Sequence, residues 1–319
     1  MHSLEKLQSL YDSELLNELT SLEQARKAIR SNYIKVIIAF LVAGVCAFCV
    51  SNEVLLSVAV PLMLAALGYI VYVLVKSRRN VKQFKADFKR QVVQKIIQFI
   101  DPTWKYYPQN AISKSDYTKS ELFLKSFDKY KGDDLIEGKI EKTDFKCSEL
   151  HTQYTKKTKD KEEVITIFKG LFFHADFNKN FSGKTFISTD HTGKILGSMI
   201  GDFFEQFTRD EDLVKLENPE FEKAFVVHST DQIEARYILT PKIMERVINF
   251  KNTVGVPVVF SFVGSRVYCA ISFKEALFEP KIFRSNINFD DVKQMYELFK
   301  INEVIIQELN LNTRIWTKA

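Results

Sequence analysis

The sequence predicts an α+β protein: a two-helix transmembrane hairpin on a helical stalk, followed by a cytoplasmic domain built on a mixed, mainly antiparallel sheet. Three observations predict it. Two long uncharged runs lie close together, apolar stripes at helical spacing flank them on both sides, and beyond residue 101 β-rich stretches alternate with amphipathic helical ones. The 319 residues, 46% hydrophobic and 27% charged, supply enough apolar material for a core and exclude a disordered chain.

Residues 1–33 read as an N-terminal cytoplasmic helix. Leu15, Leu19, Leu22, Ala25 and Ile29 recur at helical steps, and "LTSLEQARKAIR" is rich in good helix formers. The hairpin occupies 34–76, with spans at about 34–50 and 54–75. Its uncharged runs, Val36 to Asn52 and Val54 to Val75, hold 17 and 22 residues. As helices these measure about 26 and 33 Å against a hydrocarbon core of about 30 Å. The first run is short but usable, because Lys35 can snorkel and Tyr33 can lie at the interface. Pro61 can kink the second span without forbidding it. A signal peptide does not fit, since mostly polar residues precede the first run, and Val45 spoils a lipoprotein site at "VAGVC".

The flanks set the orientation. Arg26, Lys27, Arg30 and Lys35 precede the hairpin; Lys76, Arg78, Arg79 and Lys82 come after it, with further Lys and Arg behind them and only Asp87 in opposition. The positive-inside rule therefore puts both termini in the cytoplasm and leaves Ser51 to Glu53 as a minimal outer turn. Residues 1–100 carry a net charge of +6 and the rest −1, so the basic excess belongs to the membrane and not to a nucleic-acid surface. Cys46 and Cys49, in "CAFC" within the first span, read as small packing residues; Cys147 and Cys269 read as core.

Residues 77–100 form a juxtamembrane helix whose stripe Val81, Phe84, Phe88, Val92, Ile96 and Phe99 is expected to pack against the N-terminal helix. Asp101 and Pro102 end it, and Trp104, Tyr106 and Tyr107 are expected to pack onto the next domain. From there 101–319 reads as one cytoplasmic α+β domain. Strand-like stretches are Leu135–Ile140, Phe145–Tyr154, Val164–Phe177, Lys184–Thr189, Leu213–Leu216, Ala224–His228, Val256–Phe262 and Arg266–Phe273. "VGSR" supplies a hairpin turn between the last two, and "KKTKDKEE" a charged one between the second and third. "TPKIMERVINFKN" begins with a threonine cap and Pro at the first helical position; "NFDDVKQMYELFKINEVIIQEL" carries acids in its first turn.

Four stretches bear on chemistry. "NKNFSGKT", from Asn178, ends like a phosphate-binding P-loop, but its first glycine position is Asn178 and the "TFISTD" after it is β-like where a helix is required. It reads instead as a hairpin turn joining "FKGLFFHADF" to "KTFIST". His174 and Asp176 share a strand face, and Asp190 and His191 would end the partner strand, a candidate polar or metal site without any defined ligand spacing. No metal and no cofactor is assigned. In "GKILGSMIGDFFEQF", Gly193, Gly197 and Gly201 recur every four residues beside Ile195, Met199, Phe203 and Phe204, which are candidate contacts to a partner or to lipid; burial against the sheet is the alternative. Glu234, beside Arg236, reads as half of a structural ion pair at a sheet edge. No Ser-His-Asp order, nucleophile elbow or dinucleotide fingerprint supports an enzyme.

The stretches "GDDLIEGKI", "FKGLFFHADFNKNFSGKTF", "VKLENPEFEKAFVV", "STDQIEARYILTP" and "FEP" together resemble the bacterial membrane proteins grouped as domain-of-unknown-function family 3137. The resemblance runs from about Asp133 to Pro280 and leaves out residues 193–207. It implies a bacterial inner-membrane location and suggests a LemA-type membrane protein as partner, and it supplies no catalytic residue. The expectation is a membrane-anchored binding or adaptor domain engaging a protein or lipid partner; the alternative is a membrane-tethered hydrolase using His174, Asp176 and Asp190.

Overall fold

The structure is a computed structural model and describes residues 4–49, 53–158, 161–177, 180–189, 213–273 and 275–309. Two compact units emerge: one joins residues 1–96 with 278–296, the other joins 97–277 with 297–319.

The first unit is built on two long helices. Helix α1 runs through Leu4–Leu10, a π turn at Tyr11–Leu15 and Leu16–Cys49. Helix α2 runs through Glu53–Phe88, a π turn at Lys89–Val93 and Gln94–Ile100, with Pro61 inside it. Both are long and apolar enough to cross a membrane. Within the apolar runs Ala39, Ala43, Cys46 and Ala59 are buried, and Ala39 packs in a cluster with Val36, Ile70 and Val73. Small side chains let two helix backbones approach closely. Away from those runs larger apolar side chains fill the seam. Leu15, Leu19, Leu22 and Ile29 of α1 and Phe84, Phe88, Val92 and Ile96 of α2 are buried, and Lys95 of α2 pairs with Glu14 and Glu18 of α1. One member of the expected stripe is displaced: Ala25 is exposed and Arg26 lies buried in its place.

The second unit is an eight-stranded open sheet, antiparallel throughout, in the order β1-β2-β3-β4-β8-β7-β5-β6. The strands are β1 Lys105–Tyr107, β2 Lys129–Ile140, β3 Thr143–Lys157, β4 Glu162–Asp176, β5 Thr185–Ser188, β6 Val226–Ser229, β7 Val258–Val263 and β8 Arg266–Ser272. The middle strands are buried on both faces, which is why "ITIFKGLFFHA" is apolar with little alternation. Short helices α3 Lys114–Lys119, α4 Pro219–Ala224 and α5 Gln232–Ile238 start on Ser113, Asn218 and Asp231, whose side chains accept from the first free backbone N–H groups. Helix α6 Pro241–Val254 starts on Thr240 as expected and ends on Gly255 in the left-handed region. Helix α7 is Phe289–Glu308.

Three expectations are corrected. The aromatic stretch after Pro102 is edge strand β1, with Trp104 packed edge-on against Phe145. Leu213–Leu216 is not a strand; Leu213 makes a single bridge to His228. "NKNFSG" does not turn a hairpin, because β4 and β5 are not neighbours: β8 and β7 lie between them. The connection crosses the end of the β7–β8 hairpin instead, where Phe177 N–H donates to Ser265 O at 2.9 Å and Phe181 stacks its edge on Phe262. Sequence-adjacent strands usually pair, and the longer crossover is invisible to a local reading.

Two glycines with positive φ separate strain from space. Gly170 in β4 has φ +152°, and a Cβ there would lie 2.0 Å from the Ile271 carbonyl oxygen of β8; Gly255 has φ +68° and open surroundings. Gly170→Ala should cost more than about 2 kcal/mol, against about 1 kcal/mol for Gly255→Ala. Thermal denaturation of both variants checks the ranking, and equal losses would contradict the close approach of β4 to β8.

Candidate functional site

The "SGKT" turn is where the sequence looks most like a ligand site, and its backbone N–H groups do hold an anion. That anion is the chain's own Glu234, on α5: Ser182 N–H donates to one carboxylate oxygen at 3.0 Å and Gly183 N–H to the other at 2.7 Å. The helix is positioned by Asp231, whose carboxylate accepts from Ile233 and Glu234 N–H groups. Lys184, the residue that would reach a phosphate, instead forms an ion pair with Glu121 at 2.8 Å, and its N–H donates to Thr230 Oγ1. Strand β5 starts at Thr185, so the turn does not lead into a helix. Glu234 thus occupies the place of a phosphate in a P-loop, and Arg236 turns to Gln232 of its own helix, not to Glu234.

His174 lies on the sheet face covered by residues 111–127. That cover is stapled by polar contacts. Ile112 N–H donates to Ser148 Oγ at 3.1 Å, the Tyr117 hydroxyl meets Thr152 Oγ1 at 2.9 Å, and Ser261 Oγ donates to the Ser120 carbonyl at 2.6 Å. Against it pack Leu150, Phe168, Phe172, Phe186 and Tyr268 of the sheet. The His174 ring, 1% exposed, receives Arg266 Nη1 on Nδ1 at 2.6 Å. Burial first, then the Arg266 charge, push its pKa down to about 3, so the ring is neutral at physiological pH. With Nδ1 accepting, the proton sits on Nε2, which is buried. Asp176 comes next on the same face, in register with Arg266.

The expected partnership of these two with Asp190 and His191 rested on β4 and β5 being adjacent. Two strands intervene, putting β5 about 14 Å from β4; Asp190 and His191 themselves lie outside the described residues. So do Ile195, Met199, Phe203 and Phe204. Next to that stretch, at Leu213, a cavity of about 340 Å³ opens, lined mainly by Leu213, Val214, Leu216, Phe221, Phe225 and Val227. Of the membrane-flanking cations, Lys27, Arg30, Lys35, Lys76, Arg78, Arg79 and Lys82 are exposed, while Arg26 is buried.

The sequence reading missed one group of carboxylates. Asp133, Asp134 and Glu149 bring oxygens within 4.8 Å of one another at a β2 bulge where Asp134 has φ +57°. The Tyr106 hydroxyl donates to Asp134, and Leu277 N–H donates to Glu149 Oε2 at 3.0 Å. "GDD" in a β-rich stretch was the available signal, but the third member comes from the neighbouring strand. Cys147 and Cys269 are fully buried, and burial raises both thiols far above the range of a reactive cysteine.

Comparison with known families matches residues 166–311 to the family described as protein of unknown function (DUF3137). No curated protein matches the chain. Among solved structures, the crystal structure of the mycobacterial trehalose monomycolate transport factor A, TtfA, aligns with 65% of this chain and 92% of that one, at 7% identity and a TM-score of 0.30.

The geometry has two measurable outcomes. Between about pH 3 and the ordinary histidine value of 6.5 the unfolded chain binds a proton that native His174 does not. Stability therefore falls on acidification below 6.5, by about 1.4 kcal/mol per pH unit from this residue. His174→Gln should flatten the pH dependence of the melting temperature in that window, and an unchanged slope would contradict the buried neutral ring. Glu234→Ala, which strands the Ser182 and Gly183 N–H groups, should cost about 1–3 kcal/mol. Glu234→Gln, which keeps one acceptor, should cost less in the same melts.

Proposed function

Residues 166–311 make this chain a member of the DUF3137 family, and from that premise we propose that it is a membrane-anchored binding protein whose sheet domain engages a protein or lipid partner at a bacterial inner membrane. In this reading residues 1–33 are a cytoplasmic helix, 34–76 the transmembrane hairpin, 77–100 the juxtamembrane helix and 101–319 the cytoplasmic domain.

The observation that carries the reading is the surface of the two long helices. Only 17% of each apolar window is buried, and side chains such as Ile38, Leu41, Phe48, Val58, Leu64 and Val71 are each more than half exposed. An apolar surface of that length around two paired helices matches lipid tails and not water. The exposed Lys and Arg on both flanks favour placing those flanks on the cytoplasmic side. Binding is favoured over catalysis by what the polar groups already do: Glu234 holds a turn, Lys184 holds Glu121, and His174 takes its proton-accepting bond from Arg266. A polar group committed to its own fold is poorly placed to act on a substrate. The partner contact is assigned to residues 193–207, and a LemA-type membrane protein is the first candidate to test.

The chain should stay with membranes through alkaline carbonate washing and leave them only in detergent. Photo-crosslinking probes at Phe203 and Phe204 in native membranes should give adducts that depend on probe position. Release by carbonate would overturn the anchor, and silence at both probes in a folded, abundant protein would overturn the assignment of the partner contact.

A further inference from the structure

Residues 278–296 belong to the same compact unit as the two long helices, although residues 101–277 separate them in sequence from the end of α2. Charged and polar contacts fix this segment. Glu279 takes Lys85 Nζ at 2.7 Å and Lys89 Nζ at 3.2 Å. Arg26, 4% exposed, donates Nη1 to the Ile282 carbonyl at 2.8 Å while its other nitrogens fork onto Glu23 at 2.6 and 2.8 Å. Ser285 Oγ donates to the same Glu23 at 3.3 Å, and the Phe289 ring meets Tyr11 edge-on at 5.5 Å. These anchors lie about 15 Å or more along the helices from the uncharged runs.

Between them one residue reaches the other way. The Phe283 ring sits 5.7 Å from the ring of Tyr33, and Tyr33 precedes the first uncharged run by three residues, about 4.5 Å of helix. Phe283 is 66% exposed, and beside Tyr33 the side chain of Ile34 is 46% exposed. The first uncharged run, about 26 Å, falls short of a hydrocarbon core of about 30 Å, which draws Tyr33 and Ile34 into the interfacial layer. Lys281 and Arg284 flank Ile282 and Phe283 and share one carboxylate, Asp291, at 3.2 and 2.6 Å. An exposed aromatic ring among cations, continuous with the end of a span, has the chemistry of an interfacial anchor.

We propose that Phe283 is a third membrane contact, inserted into the headgroup layer of an anionic phospholipid surface next to Tyr33. The proposal rests on the reading of the two long helices as spans. Its consequence is that a segment remote in sequence from the hairpin is tied to the membrane surface.

The test places p-benzoylphenylalanine at Phe283 in the full chain, in vesicles of phosphatidylethanolamine and phosphatidylglycerol, with the same probe at lipid-facing Ile37 and at Ile233, 81% exposed on α5. Phospholipid adducts at 283 and 37 but not at 233 are expected after irradiation. Adducts at 37 without any at 283, or equal adducts at 283 and 233, would overturn the contact while leaving the spans intact. Adducts at none of the three would overturn the spans and the contact together. A protein-only adduct at 283 would show a protein and not lipid as the occupant, and would equally overturn it.

Discussion

The first unit turns on two paired helices, each long and apolar enough to cross a membrane, whose large apolar side chains face outward. Within the apolar runs Ala39, Ala43, Cys46 and Ala59 are buried beside Val36, Ile70 and Val73. Outside the runs the pairing changes character. Leucines and phenylalanines fill the seam, ion pairs from Lys95 cross it, and a π turn in each helix adjusts its phase. The buried Arg26 belongs to this second regime. Its guanidinium is tolerated away from water because Glu23 and the Ile282 carbonyl fill its fork.

The sheet unit obeys a different rule, the satisfaction of polar groups from within. The crossover from β4 to β5 leaves backbone N–H groups at Ser182 and Gly183, and Glu234 closes them. The cover over the sheet is held by Ser148, Thr152 and Ser261, hydroxyls set among large apolar neighbours. Each such bond contributes only about 1 kcal/mol net, yet leaving its partner buried and unpaired costs more, so these residues specify which segment covers which strands.

Much of this was legible in the sequence where the signal is local. The two long helices of the uncharged runs, the Thr240-Pro241 helix start and the "VGSR" turn all stand as read, because each depends on residues a few positions apart. The caps Ser113, Asn218 and Asp231 were also present, but helices of six or seven residues leave too short an apolar stripe to register. Non-local pairing was not legible. Nothing within "NKNFSGKT" reveals that β8 and β7 lie between the strands it joins, and nothing near Arg26 reveals a carbonyl at Ile282. The carboxylate group failed for the same reason: Asp133 and Asp134 meet Glu149 only through strand pairing.

The central claim is that the paired helices form a hairpin through the bilayer with both flanks on one side. The most direct measurement replaces Cys46 and Cys49 by alanine, introduces a single cysteine at Asn52, between the two long helices in sequence, or at Lys82, in the exposed flank of α2, and exposes intact cells to a membrane-impermeant maleimide. The buried native thiols Cys147 and Cys269 give little background. The account predicts labelling at position 52 in intact cells, and at position 82 only after permeabilisation. Labelling of position 82 in intact cells, or of neither position until the membrane is opened, would contradict it.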